Sequence, residues 1–195
     1  MSVSLHKGQE VSLYNENGAL TKLLIGLGWD RVKNKRGFFS LRQHPVDCDA
    51  SALMLKDGKL RDKKDLIYFG NLCHSSEAVK HIGDNLTGTG DGDDEQIIVE
   101  LDKLPEDYDR IVIVVNVYEA VARKQHFGLI KNVFIRLVDT DSGKEMYRYD
   151  LAEDYSGATA MIFGELRRND GEWKFAAVGQ GTDDTELSDM IKRYM

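Results

Sequence analysis

Ala160-Met161-Ile162-Phe163-Gly164-Glu165-Leu166 and Glu172-Trp173-Lys174-Phe175-Ala176-Ala177-Val178, joined through Asn169-Asp170-Gly171, form the stretch that decides the fold. Each run is rich in aliphatic and aromatic residues. Asp-Gly between two such runs is a strong hairpin signal, because a tight primed turn needs φ > 0 at its central residues. The stretch therefore reads as two antiparallel strands.

The same grammar extends in both directions. Upstream, candidate strands lie at 10–14, 21–29, 47–55, 65–70, 96–101, 110–118, 132–138 and 145–151. Asn15-Glu16-Asn17-Gly18, Asp57-Gly58 and Asp139-Thr140-Asp141-Ser142-Gly143 punctuate them as turns. Arg110-Ile111-Val112-Ile113-Val114-Val115-Asn116-Val117-Tyr118 is almost continuously apolar, so it reads as a central strand buried on both faces. Residues 75–81 are expected to hold a short helical turn, and 119–128 form a polar excursion. Downstream, Leu187, Met190, Ile191 and Tyr194 recur at helical spacing, which predicts one helix over 185–194. Ten short strands with no long alternating helices predict an all-β chain: a β-sandwich of two roughly five-stranded sheets with a short C-terminal helix and minor helical turns. No 20–50-residue repeat is present, which excludes solenoids and propellers.

The chain has 195 residues, a length that suits one domain over 1–195 with 182–195 as a helical tail. The net charge of −7 argues against direct nucleic-acid binding. No apolar run approaches the length of a membrane span, and the N-terminal residues lack the apolar core of a signal peptide. Cys48 and Cys73 are the two cysteines, with no Cys-x-x-Cys, which fits a reducing cytoplasm. Residues 31–46 carry five bases (Arg31, Lys33, Lys35, Arg36, Arg42) and read first as a solvated loop, with a docking patch for an acidic partner as the other reading.

Chemistry concentrates between the strands at 65–70 and 96–101. From Asp84 to Glu95 the chain holds five acids (Asp84, Asp91, Asp93, Asp94, Glu95) and no base, punctuated by Gly88, Gly90 and Gly92. Two carboxylates about 6 Å apart repel by roughly 2–3 kcal/mol at an effective dielectric of about 20. A folded loop crowding five of them calls for a cation. Every candidate donor is a hard oxygen, including the Asn85 amide and the Thr87 hydroxyl, and Ca²⁺ prefers that set. The other reading is a solvated acidic loop. Asp30, Asp47 and Asp49 sit at predicted strand ends, where a sandwich gathers its loops at one rim, so they are candidates to join Asp84, Asn85, Asp91, Asp93, Asp94 and Glu95. One Ca²⁺ uses about six to eight oxygens, so one or two ions are accommodated.

Other sites fit less well. An EF-hand starting at Asp91 would need Gly at its sixth position and Glu at its twelfth, where Gln96 and Asp102 stand. A β-roll needs tandem nonapeptides. A phosphate cradle is opposed by the acids and lacks a following Gly-Lys-Ser/Thr. Cys48, Cys73, His74 and His81 have the softness for zinc but no recurrent spacing, and read as ordinary thiols and histidines. No nucleophile elbow appears. The function classes that stay open are a non-catalytic Ca²⁺-binding, partner-docking module, a metal-dependent hydrolase, and a thiol-based binder acting through Cys48 and Cys73.

These residues resemble the TerD family of tellurium-resistance and stress-response proteins. The carriers, spread over residues 2–181, include Gly26-Leu27-Gly28-Trp29-Asp30, Asp47-x-Asp49-Ala50-Ser51-Ala52 and Gly83-Asp84-Asn85-x-Thr87-Gly88-x-Gly90-x-Gly92-Asp93-Asp94-Glu95. Further carriers are Arg148-Tyr149-Asp150-Leu151, Thr159-Ala160-Met161-Ile162-Phe163-Gly164-Glu165 and Gly171-Glu172-Trp173-Lys174-Phe175. The resemblance implies a calcium-binding β-sandwich with no established enzymatic activity. It also implies a bacterial cytoplasmic location and partners among other stress- and tellurite-resistance proteins in a membrane-associated assembly, and it makes tellurite the ligand of the thiol-based alternative at Cys48 and Cys73. It maps the family's calcium loop onto Asp84, Asn85, Asp91, Asp93, Asp94 and Glu95. Three features depart from the family pattern: Cys48 replaces a larger aliphatic residue, 31–46 is longer and more charged, and 182–195 replaces a glycine-rich tail.

Overall fold

The computed structural model describes residues 2–31, 46–84 and 92–195. The basic segment falls mostly in 32–45 and so lies outside the described residues. In chain order the strands are β1 (Val3–Ser4), β2 (Glu10–Ser12), β3 (Tyr14–Asn15), β4 (Gly18–Ala19), β5 (Lys22–Arg31), β6 (Cys48–Leu55) and β7 (Leu66–Ile67). They continue as β8 (Val79–Asp84), β9 (Glu95–Glu100), β10 (Arg110–Val117), β11 (Ile130–Asp139), β12 (Lys144–Asp150), β13 (Ala160–Asn169) and β14 (Glu172–Thr182). Among the described residues the helical elements are two short α-helices, α1 (Ala120–Arg123) and α2 (Leu187–Lys192), and two single 3₁₀ turns at Lys63–Asp65 and Phe127–Leu129.

The strands form two six-stranded sheets, ordered β1-β12-β11-β5-β9-β8 and β2-β14-β13-β10-β6-β7, plus the small β3-β4 ribbon. The all-β sandwich expected from the turn grammar is what forms. The hairpin at 160–178 closes with Asn169 opposite Glu172. Asp170 and Gly171 have φ of 50° and 83°, the left-handed pair a type I′ turn requires.

Alternation sorts each strand. On β5, Leu23, Ile25, Leu27 and Trp29 enter the main core with Ile97 and Val99 of β9 and Ile111, Ile113 and Val115 of β10. β10 is buried on both faces because a second cluster lies outside its sheet. There Val112, Val114, Leu53, Leu55 and Ile162 pack under Met190 of α2.

Three expectations change. Each sheet has six strands because two-residue strands (β1, β7) extend the edges. The candidate strand at 65–70 shortens to Leu66–Ile67. Residues 75–81 hold no helical turn: a reversal at 75–76 leads into β8 at Val79. A register shift between His81 and Gly83 interrupts the period that would have announced that strand.

Candidate functional site

The acidic segment connects two neighbouring antiparallel strands. β8 ends at Asp84, β9 begins at Glu95, and those two residues are paired across the ladder. β5 lies on the other side of β9, with Leu27 opposite Glu95. The Asp94 N–H donates to the Leu27 carbonyl at 2.7 Å, and the Trp29 N–H donates to Asp94 Oδ2 at 2.8 Å. The returning limb of the loop is thus stitched to β5 before the strand starts.

The three acids of that limb then diverge. Asp93 lies over the outer face of the sheet, directly above Gly26, where any Cβ would collide with its carboxylate. Arg136 of β11 reaches it from the same face, with Nε 2.6 Å from Oδ1 and Nη2 2.9 Å from Oδ2. The Gln96 amide adds a donor at 3.0 Å. The hydrogen bonding to Asp93 holds the Arg136 guanidinium above its ordinary pKa against the opposing effect of its partial burial. Glu95 points inward instead, and His81 Nε2 lies 2.8 Å from its Oε2, both side chains being buried. Asp94, also buried, is held between these two by the backbone.

The strand-end acids gather at the same end of the sandwich without converging on one point. Asp30 follows Gly26 and Gly28 on the outer face and accepts from Asn132 Nδ2 at 2.6 Å. Asp47 lies 3.8 Å from Arg123 Nη1. Asp49 shares the outward parity of Ser51 and Leu53, so it faces away from the sheet that carries the loop. Cys48, between them, points into the core. Burial drives its thiol pKa well above the ordinary value, and Asp49, Asp47, Glu95 and Asp94 add to the rise. All four carboxylates are felt at that thiol.

Among the described residues no group of three or more His, Cys, Asp or Glu side chains is placed to hold a metal ion. Asn85 and Asp91, with Thr87, lie outside the described residues. The described acids at the loop mouth, Asp93, Asp94 and Glu95, present only oxygen donors from their side chains. Arg136 already compensates Asp93, which makes Asp93 an anchor of the loop.

The soft-ligand set does not assemble. Cys48 is buried in the core and Cys73 is exposed. His74 belongs to a buried network with Asp65 (3.3 Å), Tyr108 (3.2 Å) and Ser76 (2.7 Å). Sequence reasoning missed His81 and Arg136 as partners of the loop. Their signal was parity: His81 shares the face of buried Val79, and Arg136 stands between inward-facing Ile135 and Leu137.

A family model of the TerD domain matches residues 1–194. The stress response protein SCP2 of Bacillus subtilis (strain 168) is 53% identical over 199 aligned residues that cover 100% of both chains. The tellurium resistance protein TerD of Serratia marcescens is 49% identical over 182 residues, 93% of this chain and 91% of that protein. A crystal structure of a homologue of telluride resistance protein (TerD) from Streptomyces coelicolor A3(2) superposes with a TM-score of 0.64 at 21% identity, covering 85% of this chain and 92% of the other. That likeness bears on the fold.

Proposed function

The chain belongs to the TerD family of tellurium-resistance and stress-response proteins, and from that premise we propose that it is a non-catalytic Ca²⁺-binding module that docks to partner proteins when its acidic loop is occupied. The observation that carries the reading is the frame of the loop. Asp84 and Glu95 close a β8–β9 hairpin whose returning limb is pinned to β5 through Asp94 and to β11 through Asp93 and Arg136. A rigid frame at both ends of a segment rich in oxygen donors lowers the ordering cost of closing it around a cation. Asp84, Asn85, Asp91 and Asp94, with backbone carbonyls, would hold the ion. Calcium supplies charge neutralisation there, and the chain's own residues supply the order that a partner recognises. Ile82, 52% exposed on the edge strand β8 beside the loop, is suited to such a contact.

We place its partners among other stress- and tellurite-resistance proteins, in a membrane-associated assembly, and the chain itself in the cytoplasm. Among the described residues no helix is long and apolar enough to cross a membrane. The thiol-based alternative is weakened by Cys48, whose buried and charge-surrounded thiol is held in its unreactive protonated form.

Calorimetry on chelator-treated protein tests the reading. Ca²⁺ should give a saturable heat and a rise in melting temperature, and Asp84→Asn or Asp91→Asn should remove both. At a free concentration of about 100 Kd, binding should add about 2.7 kcal/mol to stability. A flat titration with an unchanged melting temperature would sink the proposal.

A further inference from the structure

On the outer face of the second sheet, away from the acidic loop, a cavity of about 600 Å³ opens between β10, the α1 excursion and the start of α2. Its floor is polar. Asn116 stands directly opposite Asp49 on the neighbouring strand, and both side chains are buried. Asn116 is only 7% exposed, lines the cavity, and its Oδ1 has no hydrogen-bond partner. A buried acceptor without a donor is costly, and such groups usually mark a place where something else supplies the donor.

The walls define what that donor is. Glu119 and Glu186 line the cavity together with Asp49, and among the described residues no Lys, Arg or His lines it. Phe69 and Tyr118 add aromatic surface and remain 51% and 38% exposed, while Val121 and Leu187 make the sides aliphatic. The rim already shows the appetite of this surface for cations. The Arg123 guanidinium lies 4.8 Å from the Tyr118 ring centroid and 2.9 Å from Glu119, with Asp47 at 3.8 Å. Arg123 itself is outside the lining.

We propose that this cavity binds an alkylammonium group: a primary ammonium that donates to Asn116 Oδ1 within the acidic lining that includes Glu119 and Glu186, carried on an aliphatic stem that lies against Tyr118, Phe69 and Val121. An ammonium offers donors and no acceptor, which matches a floor of acceptors, and a methylene stem matches the walls. The volume is in the range of small-ligand sites. The Thr159 hydroxyl, donating to the Asp184 carbonyl at 2.7 Å, holds the start of the C-terminal segment in place as one wall. The site lies on the other sheet from β8 and β9 and does not depend on the calcium reading. The ammonium can come from a lysine side chain of another protein or from a free diamine.

The test is a titration of the full chain in saturating Ca²⁺, followed by amide shifts in NMR. The probes are N-acetyl-lysine methylamide, 1,5-diaminopentane and the neutral isostere 1-pentanol. Either amine should bind at least tenfold more tightly than the alcohol, with shifts centred on Asn116, Tyr118, Val121 and Glu186. The tighter of the two amines identifies the source. Asn116→Leu should cut amine affinity tenfold or more while leaving alcohol binding unchanged. Glu186 is exposed, so Glu186→Gln keeps the fold and should weaken amines alone by a few fold. Amines no tighter than the alcohol, shifts centred elsewhere, or an Asn116→Leu protein that folds and binds amines as before would each overturn the assignment.

Discussion

Arg136 and Asp93 meet on the outer face of a sheet through two short contacts, 2.6 and 2.9 Å, with the Asp93 side chain wholly buried and the guanidinium 29% exposed. The pair joins β11 to the limb that leads into β9, across the small residue Gly26 of β5. Removing the cation leaves a buried carboxylate without its charge partner. Arg136→Met should therefore destabilise the fold by about 3 kcal/mol, the low end for a broken buried pair because the guanidinium is partly solvated. Asp93→Asn should destabilise to a similar extent with and without Ca²⁺, as expected of an anchor. Urea unfolding in both conditions measures this. A loss that appears only with Ca²⁺ present would make Asp93 a ligand instead.

Reading the chain by period and turn identified the sandwich because those signals are local. The 160–178 hairpin, the β5 alternation and the β10 run each report their own environment. The site was less legible for a physical reason. A run of acids looks like one object in sequence, yet only Glu95 lies in β9; Asp93 and Asp94 precede the strand, where its alternation does not hold and each side chain takes its own direction. Asp93 goes to the outer face and Arg136, Glu95 to the core and His81, and Asp94 to a backbone N–H of β5. Arg136 stands 43 residues beyond Asp93, so nothing near the loop announced that partner. Asp49 was grouped with the loop by its position at a strand end, but its parity was already readable from Leu53 and Leu55. β8 was missed because its bulge and Gly83 break the alternation.

Tyr108 predicts an alkaline limb of instability. Its hydroxyl donates to Asp65 Oδ1 at 2.8 Å, and burial, then Asp65, push its pKa up to about 12. The folded pKa exceeds the unfolded value of about 10. The stabilisation is therefore fully present below pH 10 and is lost as pH rises towards 12, since the unfolded phenol ionises first. Tyr194, also raised to about 12 by burial, acts in the same direction. Tyr108→Phe should lower stability at neutral pH by about 1.5–3 kcal/mol, the range for a hydrogen bond to a charged acceptor. It should also flatten the decline between pH 10 and 12. Denaturation midpoints across that range decide it, and an unchanged slope would contradict the assignment.

The two cysteines should separate cleanly in a thiol titration. Cys73 is exposed, whereas Cys48 is buried with its pKa driven up by burial and four nearby carboxylates. Reactivity follows access and thiolate fraction. In native protein a disulfide reagent should modify one thiol per chain quickly, and the second should react only in denaturant. Cys73→Ser should abolish the fast phase. Two fast thiols in the native state would restore the tellurite-binding alternative.

Met190 tests whether the C-terminal segment is a structural part of the sandwich. It is fully buried over the outer cluster of the second sheet, and Thr182 Oγ1 lies 3.5 Å from its sulfur. Without that cover, Val112, Val114 and Leu53 would meet water on a strand whose other face is also apolar. Met190→Ala should cost about 3 kcal/mol, transfer of the side chain plus the cavity left behind. The exposed neighbour Ser188 provides the control, since Ser188→Ala removes only a surface contact with Glu186 and should stay within about 0.5 kcal/mol. Equal effects at the two positions would mean that α2 is dispensable to the fold. A large loss at Met190 alone makes the helix the reason that β10 can be apolar on both faces.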